Sequence, residues 1–148
     1  MSRYYIDCEF DGHNGPLLSM ALVPSEGSSI HINVLTNALD PWVIANVEPF
    51  IDSHEAETIA RVPMYMVGEE IVKFIGNDRN PVIVCDSPQD ARYFSQSLTT
   101  ASDGGYAPFP FDNLTIDIYS VDCYPTTLPG AVQHNAWWDA MALRAKLA

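Results

Sequence analysis

Three small groups of residues in this chain have the types and spacing to do chemistry. Asp7 and Glu9 lie two apart in the run Tyr4–Phe10, whose alternating character reads as a strand. Strand side chains two apart share a face, so both carboxylates project together while Ile6, Cys8 and Phe10 point the other way. Two carboxylates ~4 Å apart at an effective dielectric of ~20 repel by about 4 kcal/mol. A half-buried strand carries that cost only with a cation to offset it or with raised pKa values; the other reading is a solvated face. The second group is His134-Asn135-Ala136-Trp137-Trp138-Asp139, where a last helix begins. His134 and Asp139 can both reach the rim of a sheet under that helix. A plain helix start, capped by Asn135 with Asp139 exposed, accounts for the same residues. The third is Asp86-Ser87-Pro88-Gln89-Asp90. Asp86 falls at the carboxyl edge of a buried strand, where ligands gather in open α/β sheets. Asp90 falls in the first turn of the next helix. A cap at Asp86 or Ser87 with a dipole-favoured acid at Asp90 is the structural alternative.

These groups need a scaffold, and the periodicity of the chain describes one. Tyr4–Phe10, Leu17–Val23 and Ile30–Leu35 read as strands, separated by a turn at Gly12–Pro16 and a polar loop at Pro24–Ser29, an antiparallel meander. Trp42–Ile51 has helical spacing limited by Pro49. Val67–Ile75 is a better helix, with Glu69 and Glu70 in its first turn and Gly76-Asn77 as its stop. Val82–Cys85 is a continuous apolar run, a strand buried on both faces. A helix runs from Pro88 to about Leu98, a loop over Thr99–Pro110, a fifth strand over Leu114–Tyr119, a loop over Pro125–Gly130, and a helix over Asn135–Leu147. This order predicts an α/β protein, a mixed five-stranded sheet flanked by helices, in a layout that matches the ribonuclease H-like fold.

At 148 residues the chain is expected to form one domain, 1–148. With 47% apolar and 18% charged residues it is not a disordered chain. No apolar run approaches the ~18 residues of a membrane span, and the start lacks the apolar region of a signal peptide. Cys8, Cys85 and Cys123 are odd in number with no CxxC, which suits a reducing compartment, so a cytoplasmic location is expected. Net charge is −12, with only seven lysines and arginines. That excludes a protein that holds a phosphate backbone by its own basic side chains. Bound divalent cations can supply the missing positive charge.

In chain order, YYIDCEFDG (Tyr4–Gly12), VCDSPQDARYF (Val84–Phe94) and HNAWWDAMAL (His134–Leu143) resemble the three motifs of the DEDD family of 3′–5′ exonucleases, in its histidine-containing branch. The likeness runs essentially end to end, and the length resembles the compact RNase AS-like exoribonucleases. It implies a metal site of Asp7, Glu9, Asp90 and Asp139 with His134 as general base. Asp90, ahead of Ala91-Arg92-Tyr93-Phe94, fits the second-motif acid better than Asp86, which stays the alternative. Four carboxylates suit two hard cations, Mg²⁺ or Mn²⁺, held ~3.5–4 Å apart, and an imidazole suits proton removal near neutral pH. The resemblance also implies that the terminal nucleotide lies near Phe10 or His13, with Trp138 as a further substrate contact. Tyr106, Phe109, Phe111 and Trp137 are other candidates to stack single-stranded bases. Trp137 and Trp138, adjacent on a helix, cannot face the same way.

The implied activity is hydrolysis of single-stranded RNA from its 3′ end to nucleoside 5′-monophosphates. The expected partner is a single-stranded 3′ end, RNA favoured over DNA, with no membrane. A homodimer could use exposed aromatics such as Trp42 or Tyr65. The alternatives are an exodeoxyribonuclease with the same site, a non-catalytic nucleic-acid- or protein-binding module of the same fold, and an acidic mimic of nucleic acid.

Overall fold

The structure, a computed structural model, describes residues 2–148. Strand β1 (Arg3–Phe10) alternates as its sequence predicts. Tyr4, Ile6 and Cys8 enter one apolar cluster, and Tyr5 enters another on the opposite face. β2 (Leu17–Pro24) is buried along its whole length, and β3 (Ile30–Val34) nearly so. These three form the antiparallel meander. β5 (Val82–Cys85) is buried at every residue and pairs parallel with β1 and with β6 (Thr115–Ile118).

The sheet has six strands rather than five, because Glu57–Val62 forms β4, parallel to β3 at the sheet edge. The full order is β4-β3-β2-β1-β5-β6. Glu57, Thr58, Ala60 and Arg61 of β4 are exposed. An edge strand that buries little and carries charge on its open side shows no apolar alternation to read.

Helices cover both faces. α2 (Met64–Ile75) and α3 (Pro88–Thr99) bury Val67, Ile71, Phe94 and Leu98 against the cluster that contains Ile6 and Ile83. Gly68 lets the two helices approach, since a Cβ there would overlap the Ser97 carbonyl. α4 (Ala136–Leu147) packs Ala136, Ala140 and Leu143 on the other face, over Tyr5, Ala21 and Val84.

Two helix starts differ from the sequence reading. α2 begins at Met64, directly after Pro63, so Glu69 and Glu70 lie beyond its first turn. The expected helix over Trp42–Ile51 divides into α1 (Pro41–Asn46) and a 3₁₀ turn at Glu48–Phe50. Pro49 has no N–H to continue the α-helical ladder, so the chain tightens there. No helix among the described residues is long and apolar enough to cross a membrane.

Candidate metal centre

β1 pairs with β5 only from Arg3 to Tyr5. Past that point the strands part, and the half of β1 that carries Asp7 and Glu9 runs on beyond the end of β5. The gap opens at the carboxyl ends of parallel strands, the usual ligand position in open α/β sheets. Asp86 follows the last residue of β5, and Asp90 stands in the first turn of α3, behind a Ser87 cap that accepts from the Gln89 N–H at 3.1 Å. Because β1 has left β5, the Cys8 N–H has no strand partner on that side. It donates instead to Asp90 Oδ1 at 3.0 Å. One bond thus ties the first strand to the acid on α3.

From the other face α4 brings Asp139. Its start is set by Asn135, which is wholly buried. The Asn135 carbonyl oxygen accepts from the Trp137 and Trp138 N–H groups at 3.1 and 3.3 Å. Its amide donates to the Phe50 and Ile51 carbonyls at 2.8 and 3.1 Å. His134 adopts φ 57°, the left-handed region that costs a non-glycine residue about 1 kcal/mol or more. That turn swings the incoming chain onto the helix and leaves the imidazole exposed at the rim.

The acids form two triads that share Asp7. Asp7, Glu9 and Asp139 offer oxygens within 4.8 Å of one another, and so do Asp7, Asp86 and Asp90. All five acids and His134 line one cavity of about 440 Å³. Among the described residues no lysine or arginine pairs with any of them; the ion pairs present are Lys73–Glu70 and Arg79–Asp112. Asp7 Oδ2 is buried and has no hydrogen-bond partner. Burial, then the charges of Asp90, Asp139, Glu9 and Asp86, holds the Asp7 carboxyl well above the usual range. Burial and the Asp139 charge do the same to Glu9. Burial and Asp86 push Asp90 up to about 8, against the opposing Cys8 N–H bond, and burial raises Asp139 to about 6. Crowded, partly dehydrated carboxylates with one orphaned oxygen suit a cation. The donor set is all oxygen, which fits Mg²⁺ or Mn²⁺ rather than a thiolate or imidazole metal.

Of the expected substrate contacts, Phe10 lines the cavity, with its ring stacked on Tyr93 at 4.8 Å. His13 is exposed on the β1–β2 turn and is not part of the lining. Trp138 is 7% exposed, donates its Nε1–H to the Ser53 carbonyl at 2.9 Å, and is not part of that cavity's lining, so it braces α4 from inside. Trp137 is likewise buried, bonded to Ser29 Oγ at 2.7 Å, and Phe111 belongs to the core. Tyr106 and Phe109 are exposed but lie off the cavity.

Trp42 is the aromatic that the sequence reading did not place at the site. It is 54% exposed, lines the cavity, and meets the His134 ring edge to face with centroids 5.0 Å apart. Asp11 arranges this, because its carboxylate accepts from the Leu39 and Asp40 N–H groups at 2.8 and 2.9 Å. Asp40 in turn caps α1 through the Trp42 and Val43 N–H groups. The cue was present in Asp40-Pro41, a cap followed by a first-position proline. It sets the helix start one residue before Trp42.

No protein-family model matches the chain, and no curated protein matches it.

Proposed function

We propose that this protein is a metal-dependent 3′–5′ exoribonuclease of the histidine-containing DEDD type, on a ribonuclease H-like fold, and that it acts on short single-stranded ends in the cytoplasm. The observation that carries the reading is the pair of carboxylate triads joined at Asp7, with His134 on the same cavity wall. Asp7, Glu9 and Asp139 would hold one cation, and Asp7, Asp86 and Asp90 the other. Bound there, two divalent ions would neutralise the phosphate and the departing oxygen. They would also turn an acidic pocket into one that accepts an anion.

The chain's own groups do the rest. His134, at the rim, takes the proton of the attacking water. The water oxygen bonds to phosphorus, the bond from phosphorus to the 3′-oxygen breaks, and that oxygen leaves with a proton from solvent. Phe10 and Trp42 offer apolar surface to the terminal nucleoside. The absence of lysine and arginine from the lining favours short substrates.

Digestion of a 5′-labelled oligoribonucleotide tests this. With Mn²⁺ or Mg²⁺ a ladder shortening from the 3′ end is expected. Chelator, Asp139→Ala and His134→Ala should each stop it, and His134→Ala should still bind metal by calorimetry. A DNA strand cut as fast as RNA would make the enzyme an exodeoxyribonuclease as well. No cleavage of any single strand with Mn²⁺ would leave a binding module of the same fold.

A further inference from the structure

A phosphodiester carries a nucleoside on each side of its phosphorus, so a site that cuts one must make room on both sides. The acids here stand between two cavities. The larger, of about 440 Å³, is walled by α1 and the end of β1. A second, of about 290 Å³, shares Asp7, Asp86, His134 and Asp139 with the first. Its other walls are Cys123, Tyr124, Pro125 and Gln133, from the segment that leads into α4.

We infer that this second cavity receives the nucleoside whose 3′-oxygen departs, with Tyr124 as the platform for its base. The inference rests on the exonuclease reading and extends it to the other half of the substrate. Three features favour it. Tyr124 is 61% exposed and lines this cavity, and a base of any kind can stack on an exposed aromatic ring. Cys123 Sγ donates to Asp86 Oδ2 at 3.2 Å, so this wall is fastened to one of the acids at the junction. Gln133 is exposed and offers both a donor and an acceptor to a base edge. No lysine or arginine lines the cavity, so the second nucleoside is held by stacking rather than by its phosphate.

The test compares two esters of adenosine 5′-monophosphate in the presence of Mn²⁺. One is the adenylyl dinucleotide; in the other a methyl group replaces the second nucleoside, so only the larger cavity is filled. The wild-type protein should prefer the dinucleotide in kcat/KM. Tyr124→Ala should lower the dinucleotide-to-methyl-ester ratio about tenfold, mainly through KM, as stacking energies of this class imply. Tyr124→Phe, which keeps the ring, should restore the ratio to within about twofold. An unchanged ratio in Tyr124→Ala overturns the subsite while leaving the exonuclease reading intact. A wild-type protein that cuts neither ester overturns both.

Discussion

Replacing Asp139 by Asn should stabilise the metal-free protein, although it removes a site residue. Burial first, then the Asp86 charge, raises the Asp139 carboxyl from 3.8 to about 6 against opposing hydrogen bonds with Glu9 and Asp7, a shift equivalent to about 3 kcal/mol. The native state therefore binds more protons than the unfolded chain between those two values. Stability is lost as pH rises through that window. Asn has a similar shape and never ionises. In chelator the variant should gain about 3 kcal/mol at pH 8, roughly half of that at pH 5 and little at pH 4. At this chain length the pH 8 gain is a rise in Tm of about 6–12 °C. Thermal unfolding followed by circular dichroism, in chelator and in Mn²⁺, reads both halves of the argument. Mn²⁺ should raise the wild-type Tm strongly at pH 8 and the variant's much less. A variant no more stable than wild type in chelator at pH 8, or one that gains as much from Mn²⁺, would refute the account of this site as dehydrated carboxyls whose ionisation is relieved by metal.

Two further substitutions probe buried polar side chains of the scaffold. His31 is wholly buried, neither ring nitrogen has a hydrogen-bond partner, and burial lowers its pKa to about 3. A folded value below the unfolded ~6.5 means that stability falls as pH drops through that range. His31→Leu should therefore gain about 2 kcal/mol more at pH 5 than at pH 8 in urea titrations; an equal change at both pH values would contradict it. Asn135→Ala removes a helix cap and strands the Phe50 and Ile51 carbonyls. It should cost about 3 kcal/mol by urea midpoint, and Asn135→Asp, which keeps the cap but sets a buried carboxylate against those two carbonyls, should cost at least as much.

Much of the scaffold is legible because it is written in neighbouring residues. The period-two pattern from Tyr4 to Phe10 puts Asp7 and Glu9 on one face before any fold is known. Ser87-Pro88 and Asn135 mark helix starts through bonds made within three residues. The continuous run Val82–Cys85 announces a strand buried on both sides. What depends on pairing between distant segments is not written that way. β4 is held by β3 at an exposed edge, so its own residues show no apolar period. Trp138 looks like an aromatic beside a site residue, yet a helix turns successive side chains by about 100°. It faces the 50–53 segment that packs there. Asp86 and Asp90 compete for one role when read along the chain, whereas both reach Asp7. The reason is that β1 leaves β5 at Tyr5, opening a gap into which the end of β5, the first turn of α3 and the first turn of α4 all project. Residue types and local period determine which side chains can do chemistry. Where two strands part determines which of them meet, and no local pattern carries that.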